Sequence, residues 1–118
     1  MSRALLFFLL TVVEGSVIPR PPSQNVVVVT GCDTGFGLLA SSALSQAGYP
    51  VIAACLTKEG YQRLSDINNI QPVMCDVTCE NDVKGLARAT EMLLSTNEDM
   101  RLWALINNAG TSLLSLTL

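Results

Sequence analysis

The chain alternates between short, unbroken apolar runs and longer stretches in which apolar residues recur at helical spacing. The apolar runs cover residues 25–30, 50–55, 71–75 and 102–107, and the first of them, NVVVVT, is almost entirely β-branched. A run without polar alternation is typical of a strand buried on both faces, as in a parallel sheet. The stretches between the runs predict helices over residues 38–48, 59–67 and 78–95.

The predicted elements follow the order β-α-β-α-β-α-β. Strands that alternate with helices imply an α/β fold with a parallel sheet and right-handed crossovers. The first helix is indicated by the spacing of four apolar residues, Leu39, Ala43, Leu44 and Ala47. Gly48 is expected to end this helix, and Thr78 is the predicted N-cap of the third helix.

A separate apolar segment precedes the first predicted strand. Residues 4–13 are apolar apart from Thr11, follow Arg3 and end at Glu14. The run is half of the roughly 20 residues that a membrane-spanning helix needs, and it matches the apolar region of a secretory signal. The alternative is an ordinary buried helix. We expect a signal or membrane anchor over residues 1–18, a Pro-rich linker over 19–24, a partial nucleotide-binding domain over 25–110 and an unassigned tail over 111–118.

Composition narrows the classes of function. The 118 residues are 49% hydrophobic and 14% charged, which predicts one small domain with a buried core. A net charge of −3 gives no basic surface for nucleic acid. The chain has no histidine, so histidine general-base chemistry and the usual zinc sites are excluded. The four cysteines form no CxxC pair and are expected to be small buried hydrophobes, with disulfides left open.

A glycine-rich segment, TGCDTGFG, joins the first strand to the first helix. Gly31 suits the tight turn that leaves the strand, and Gly35 lets a pyrophosphate approach the backbone because it lacks a Cβ. Gly37 allows the helix to pack closely on the strand. The free N–H groups at the start of the helix would face the phosphates. No Gly-Lys-Ser/Thr follows, so the segment predicts a dinucleotide site and not an NTPase phosphate loop.

The spacing Thr-Gly-x3-Gly-x-Gly resembles the fingerprint of short-chain dehydrogenases/reductases. Three further matches follow: Asp76-Val77 after the third strand, residues 102–106 (LWALI) in the fourth strand, and Asn107-Asn108-Ala109-Gly110 at its end. The amino-acid sequence of the glycine-rich segment and of residues 51–57 is similar to that of the retinol and hydroxysteroid dehydrogenase branch. The resemblance implies a Rossmann-type, doubly wound parallel sheet of strand order 3-2-1-4, truncated after about four strands.

The resemblance also implies a cofactor site and a location. Asp76 would hydrogen-bond the adenine amino group, and the Asn-Asn-Ala-Gly motif would line the cofactor ribose. Members of the branch tend to carry an N-terminal hydrophobic segment on endoplasmic reticulum membranes. We therefore expect this protein in the membrane or the lumen of the endoplasmic reticulum. The full set of expected cofactor-binding residues is Thr30, Gly31, Asp33, Thr34, Gly35, Phe36, Gly37, Leu56, Asp76, Val77, Asn107, Ala109 and Gly110.

The choice between NAD and NADP is left open by the residues themselves. An acid after the second strand would bind the ribose 2′-hydroxyl, and a base would accept a 2′-phosphate. The chain has Leu56 there, with Lys58 and Glu59 close by. The resemblance favours NAD.

Catalytic residues are not expected in this chain. The family needs a Ser and a Tyr followed four residues later by Lys, whereas Tyr49 is followed by Ala53 and Tyr61 by Ser65. The interpretation is therefore a truncated NAD(P)-dependent oxidoreductase of retinoid or steroid alcohols. The alternative is an inactive dinucleotide-binding or regulatory fragment that pairs with a full-length relative through the exposed, apolar edge of the fourth strand.

Overall fold

The computed structural model describes residues 9–12 and 20–109, and they form one sheet with helices on both faces. The strands are β1 (Leu9–Val12), β2 (Asn25–Val29), β3 (Val51–Cys55), β4 (Ile70–Met74) and β5 (Arg101–Asn107). The helices are α1 (Gly35–Gln46), α2 (Lys58–Ser65) and α3 (Glu80–Ser95), and a short 3-10 turn, Pro22–Gln24, precedes β2.

The sheet has the strand order β1-β5-β2-β3-β4. The four strands predicted from the sequence, β2 to β5, are parallel, with Val27 beside both Val51 and Ala104. Counted along the chain, these four strands have the order 3-2-1-4. The predicted α/β class and the predicted topology are confirmed.

The outer edge of β5 differs from the prediction of an exposed strand. Leu9–Val12 pairs with it antiparallel, and Leu10 lies opposite Ile106. The expectation of an open edge for pairing with another protein is therefore wrong for this part of β5, because backbone from the same chain already occupies its hydrogen-bonding groups. The remainder of the predicted signal or anchor segment, and residues 110–118, lie outside the described residues.

Both faces of the sheet are buried. Successive residues of a strand point to opposite faces, so the valines of β2 divide between two clusters, with Val27 and Val29 on one face and Val26 and Val28 on the other. All five residues of β2 and of β3 are buried. The unbroken apolar runs read from the sequence reflect this burial on two sides.

Helix α1 packs on the sheet through small residues. Its buried positions are Gly37, Ser41 and Ser45, whereas Leu39 is 67% exposed. The Ser41 hydroxyl lies 3.2 Å from the Cys32 thiol, and the Ser45 hydroxyl donates to the Ser42 carbonyl at 2.9 Å. These hydrogen bonds allow hydroxyls to be buried, and the small side chains let the helix lie close to the sheet.

Helix α3 begins one residue later than its predicted cap implies. Cys79 is the N-cap, and the hydroxyl of Thr78 instead donates to Asp76 Oδ1 at 2.6 Å. The prediction of Thr78 as N-cap is wrong because the preceding carboxylate engages both the hydroxyl and the backbone amide of Thr78. Among the described residues, no helix combines the length and the apolar character needed to cross a bilayer.

Candidate functional site

The turn between β2 and α1 depends on two glycines with left-handed backbone angles. Gly31 has φ of +69° and Gly35 has φ of +62°. A Cβ on Gly31 would lie 2.9 Å from the Cα of Ala109, so a side chain is excluded there by space as well as by conformation. A Cβ on Gly35 would meet nothing within 4 Å. The backbone at Gly35 is therefore open to close approach from outside.

The third glycine, Gly37, lies in the first turn of α1 and faces inward. A Cβ there would overlap the Gly31 carbonyl and lie 2.7 Å from the side-chain nitrogen of Asn108. That nitrogen donates to the Gly31 carbonyl at 3.2 Å. The missing side chain of Gly37 thus lets the helix, the glycine-rich turn and the end of β5 meet at one point.

Thr30 joins the ends of β2 and β5. Its hydroxyl oxygen accepts the backbone N–H groups of Asn108 at 3.0 Å and Ala109 at 2.8 Å. The same hydroxyl donates to Asn107 Oδ1 at 3.3 Å. Through these hydrogen bonds the buried Thr30 holds the Asn-Asn-Ala stretch against the glycine-rich turn.

Asp33 connects the glycine-rich turn to the loop between β3 and α2. Its Oδ1 accepts the Leu56 N–H at 2.8 Å, and its Oδ2 accepts the Thr57 N–H at 2.7 Å and the Thr57 hydroxyl at 2.6 Å. Partial burial raises the pKa of Asp33, but these hydrogen bonds favour the charged form more strongly and hold the pKa below its ordinary value.

Helix α2 is built around this carboxylate. Thr57 is the N-cap, and its hydroxyl accepts the Gly60 N–H at 3.0 Å while it donates to Asp33. A Cβ on Gly60 would overlap Asp33 Oδ2. Arg63, one turn further along, donates to the Asp33 backbone carbonyl. The side chains of Thr57 and Arg63 therefore hold Asp33 from two sides, and Gly60 leaves room for its carboxylate.

Asp76 follows β4 at the same edge of the sheet. Its Oδ1 accepts the Thr78 N–H at 2.9 Å and the Thr78 hydroxyl at 2.6 Å. These two hydrogen bonds lower the pKa of Asp76, so the carboxylate is charged at neutral pH. Within the described part of the chain, its second oxygen has no hydrogen bond.

A groove of about 460 Å³ runs along the carboxyl ends of β2, β3 and β4. This is the edge at which open α/β sheets bind ligands. Seven of the residues predicted to bind a cofactor line it, namely Gly31, Asp33, Thr34, Leu56, Asp76, Val77 and Ala109. The backbone brings these residues together from four separate loops.

Five other predicted cofactor residues are described by the structure and are not part of the groove lining. Thr30 and Gly37 are buried and support the turn. Gly35 and Phe36 are exposed in the first turn of α1, and Asn107 is exposed at the end of β5. Gly110 lies outside the described residues.

Several lining residues were not predicted from the sequence. They are Thr57, Glu59, Arg63, Cys75 and Thr78. Glu59 and Arg63 are four residues apart on α2 and therefore share a helix face. By its position in the sequence, Glu59 is expected close to the cofactor. The four-residue spacing could therefore have indicated that Arg63 lies at the same site.

The cysteines are free thiols, and three of the four are buried. Burial raises the pKa of the Cys32 thiol to about 11 and that of Cys55 to about 12. These side chains behave as small hydrophobes, as expected from the sequence. Within residues 9–12 and 20–109 no group of three acidic or cysteine side chains is placed to hold a metal ion.

Comparison with known proteins gives consistent matches. The sequence model of the family described as short chain dehydrogenase matches residues 25–117. The chain is 41% identical over 96 residues to short-chain dehydrogenase/reductase family 9C member 7 of Bos taurus, covering 80% of this chain and 30% of that protein. It is 39% identical over 92 residues to retinol dehydrogenase 16 of Homo sapiens, covering 76% of this chain and 28% of that protein.

Solved structures show the same fold. A short-chain type dehydrogenase/reductase from Mycobacterium marinum has a TM-score of 0.57 at 25% identity, covering 80% of this chain and 35% of that one. A 3-ketoacyl-(acyl-carrier-protein) reductase from Brucella melitensis, complexed with NADH, has a TM-score of 0.54 at 27% identity, covering 61% of this chain and 29% of that one. The chain spans about a third or less of the length of these proteins.

Proposed function

Because this chain belongs to the short-chain dehydrogenase family, we propose that it binds a nicotinamide dinucleotide, with NAD as the cofactor, in the groove beside the glycine-rich turn. The observation that carries the proposal is that three segments line one groove. They are the glycine-rich turn with Gly31 and Thr34, the loop after β4 with Asp76 and Val77, and the end of β5 with Ala109. The open backbone at Gly35 and the start of α1 suit a pyrophosphate, since the first N–H groups of a helix attract anions.

The proposed activity of the whole protein is hydride transfer between the nicotinamide and a lipophilic alcohol or ketone of the retinoid or steroid class. Support comes from relatives named retinol dehydrogenase 16 and 17-beta-hydroxysteroid dehydrogenase type 6, the latter 38% identical over 89 residues. The residues described here would hold the cofactor. Bound dinucleotide supplies the hydride acceptor or donor, and no residue of this chain is assigned to the proton transfer.

Cofactor binding is tested by titrating the full chain with NAD in a calorimeter. Thr34→Glu adds a negative charge at the N-cap of α1, where the native threonine makes no capping hydrogen bond. This variant should lose most of its NAD affinity because the carboxylate repels the pyrophosphate. Gln46→Glu adds the same charge at the far, exposed end of α1 and should retain the affinity. Undetectable NAD binding by the unmodified, folded chain would refute the proposal.

The predicted contact of Asp76 with adenine has its own test. Nicotinamide hypoxanthine dinucleotide carries an oxygen in place of the adenine amino group. The unmodified chain should bind it more weakly than NAD, since Asp76 would face an acceptor instead of a donor. Asp76→Ala should bind the two dinucleotides equally. A preference that survives in Asp76→Ala would assign adenine recognition to another group.

The alternative is an inactive dinucleotide-binding fragment that associates with a full-length relative. Within these 118 residues, neither tyrosine is followed four residues later by lysine, and the fragment hypothesis predicts cofactor binding without turnover. Retinol- or steroid-dependent reduction of NAD by the purified chain would support the enzyme. Binding of NAD without turnover, together with co-purification of a dehydrogenase, would support the fragment.

We further propose that residues 4–13 direct the protein to the endoplasmic reticulum membrane. The apolar run and its flanking Arg3 support this location. In the structure Leu9–Val12 pairs with β5, so anchoring residues 4–13 in a membrane requires this strand to leave the sheet. A chain that sediments with microsomes and is released by Leu6→Lys plus Leu10→Lys would support anchoring, whereas a chain that never sediments would refute it.

A further inference from the structure

The groove has an acidic corner at the loop between β3 and α2. Asp33 and Glu59 line it there, and Asp76 lines the same groove after β4. Arg63 is the cation among the described lining residues, and its guanidinium donates to the Asp33 backbone carbonyl. The charged groups of this lining therefore sum to a negative value.

The carboxylate of Asp33 occupies the place that, in a Rossmann fold, usually belongs to an acidic residue following the second strand. In that fold the acid after the second strand hydrogen-bonds the ribose 2′-hydroxyl. This chain has Leu56 at that position, but Asp33, 23 residues earlier, places its carboxylate on the Leu56 and Thr57 amides. The same negative charge reaches the same corner from the glycine-rich turn.

One acceptor position of this carboxylate remains available. A carboxylate offers about four lone-pair sites. Oδ2 accepts the Thr57 amide and the Thr57 hydroxyl, whereas Oδ1 accepts only the Leu56 amide. The remaining site on Oδ1 can accept one further donor. A ribose hydroxyl is such a donor, and a phosphate dianion is not.

We propose, on the basis of the proposed dinucleotide site, that Asp33 is the residue that selects NAD over NADP. Its charge repels a 2′-phosphate, and its free Oδ1 position accepts the 2′-hydroxyl. The surrounding structure maintains this position, because Gly60 lacks the Cβ that would displace Oδ2 and Thr57 holds Oδ2 by two hydrogen bonds. Arg63 contacts the backbone of Asp33 and orients the turn.

The test measures NAD and NADP dissociation constants for the full chain by calorimetry. The unmodified chain should bind NAD more tightly. Asp33→Asn should narrow the ratio of the two constants about tenfold, mainly through tighter NADP binding, because one negative charge beside a phosphate dianion is removed. Glu91→Gln, which removes a charge from an exposed position on α3 away from the groove, should leave the ratio unchanged.

A second measurement needs no substitution and tests the sign of the charge at this corner if Asp33→Asn does not fold. Raising the salt from about 0.01 M to about 1 M shortens the Debye length from roughly 30 Å to 3 Å. Screening should weaken the repulsion and narrow the preference for NAD. A preference for NADP at low salt would instead indicate that Arg63 binds the 2′-phosphate, and it would overturn the inference.

The outcomes separate this inference from the proposed function. If the unmodified chain binds neither dinucleotide, the proposed function fails. If it binds both with equal affinity, or if folded Asp33→Asn keeps the original ratio, the role of Asp33 is refuted while dinucleotide binding stands.

Discussion

The Thr30 hydroxyl accepts the backbone N–H of Asn108 at 3.0 Å, although 78 residues separate the two along the chain. It also accepts the N–H of Ala109. One buried side chain thereby fixes the distance between the glycine-rich turn and the loop after β5. Those two loops form neighbouring walls of the groove, so the shape of the site depends on Thr30.

Replacing Thr30 tests this connection. Thr30→Val keeps the shape of the side chain but removes the acceptor, and we expect it to lower the free energy of unfolding by about 2 kcal/mol because buried N–H groups lose their partner. Thr30→Ser should recover most of that loss. Urea unfolding followed by circular dichroism measures both. Equal losses for Val and Ser would show that the hydroxyl is unimportant.

Two glycines in helices should respond to alanine in opposite directions. Gly37→Ala places a methyl group against the Gly31 carbonyl and Asn108, and we expect a loss of about 2 kcal/mol or more. Gly85→Ala on α3 meets only the Arg88 guanidinium at 3.8 Å, and it should stabilise the chain by up to about 1 kcal/mol. Thermal unfolding of the two variants gives the comparison. A neutral Gly37→Ala would contradict the close packing of α1.

The acid limb of the stability profile should depend on Asp33. Its pKa is lower folded than unfolded, so its contribution is complete above the unfolded value of about 3.9 and is lost as the pH falls through the folded value. In Asp33→Asn the free energy of unfolding should therefore change less with pH in that range. The pKa of Asp76 is also lowered, so this residue contributes to the same loss of stability at acid pH. The informative quantity is therefore the difference in slope between Asp33→Asn and the unmodified chain. Identical slopes would argue against a paired Asp33.

Alkylation should distinguish the cysteines of the folded chain. Cys32 and Cys55 are buried and their pKa values are raised by that burial, so little thiolate is available near neutral pH. Cys79 is partly exposed and should react first with iodoacetamide. Peptide mass spectrometry before and after unfolding in urea reads each site. Early modification of Cys32 in the folded chain would contradict its placement.

The packing of α1 gives a further contrast. Leu39→Ser changes an exposed residue and should alter stability by no more than about 0.5 kcal/mol. Ser41→Leu inserts bulk into a fully buried position beside Cys32, and it should cost about 1–3 kcal/mol. Chemical denaturation measures both variants. A large effect at Leu39 would mean that α1 buries the opposite face.

The apolar runs and the order of elements determined the class of fold, the glycine spacing indicated where a dinucleotide would bind, and the resemblance to short-chain dehydrogenases implied the strand order. These features are local or periodic, and parallel strands with right-handed crossovers leave few arrangements. The sequence also indicated Asp33, Leu56 and Asp76 as site residues.

Tertiary structure decided the contacts between segments that are distant along the chain. Only the folded backbone brings Asp33 to Thr57, aligns Leu9–Val12 with β5 and turns Ser41 toward Cys32. Periodicity ranks helix positions by hydrophobicity, whereas the burial of α1 follows the space available against the sheet. For that reason small serines are buried and Leu39 is exposed.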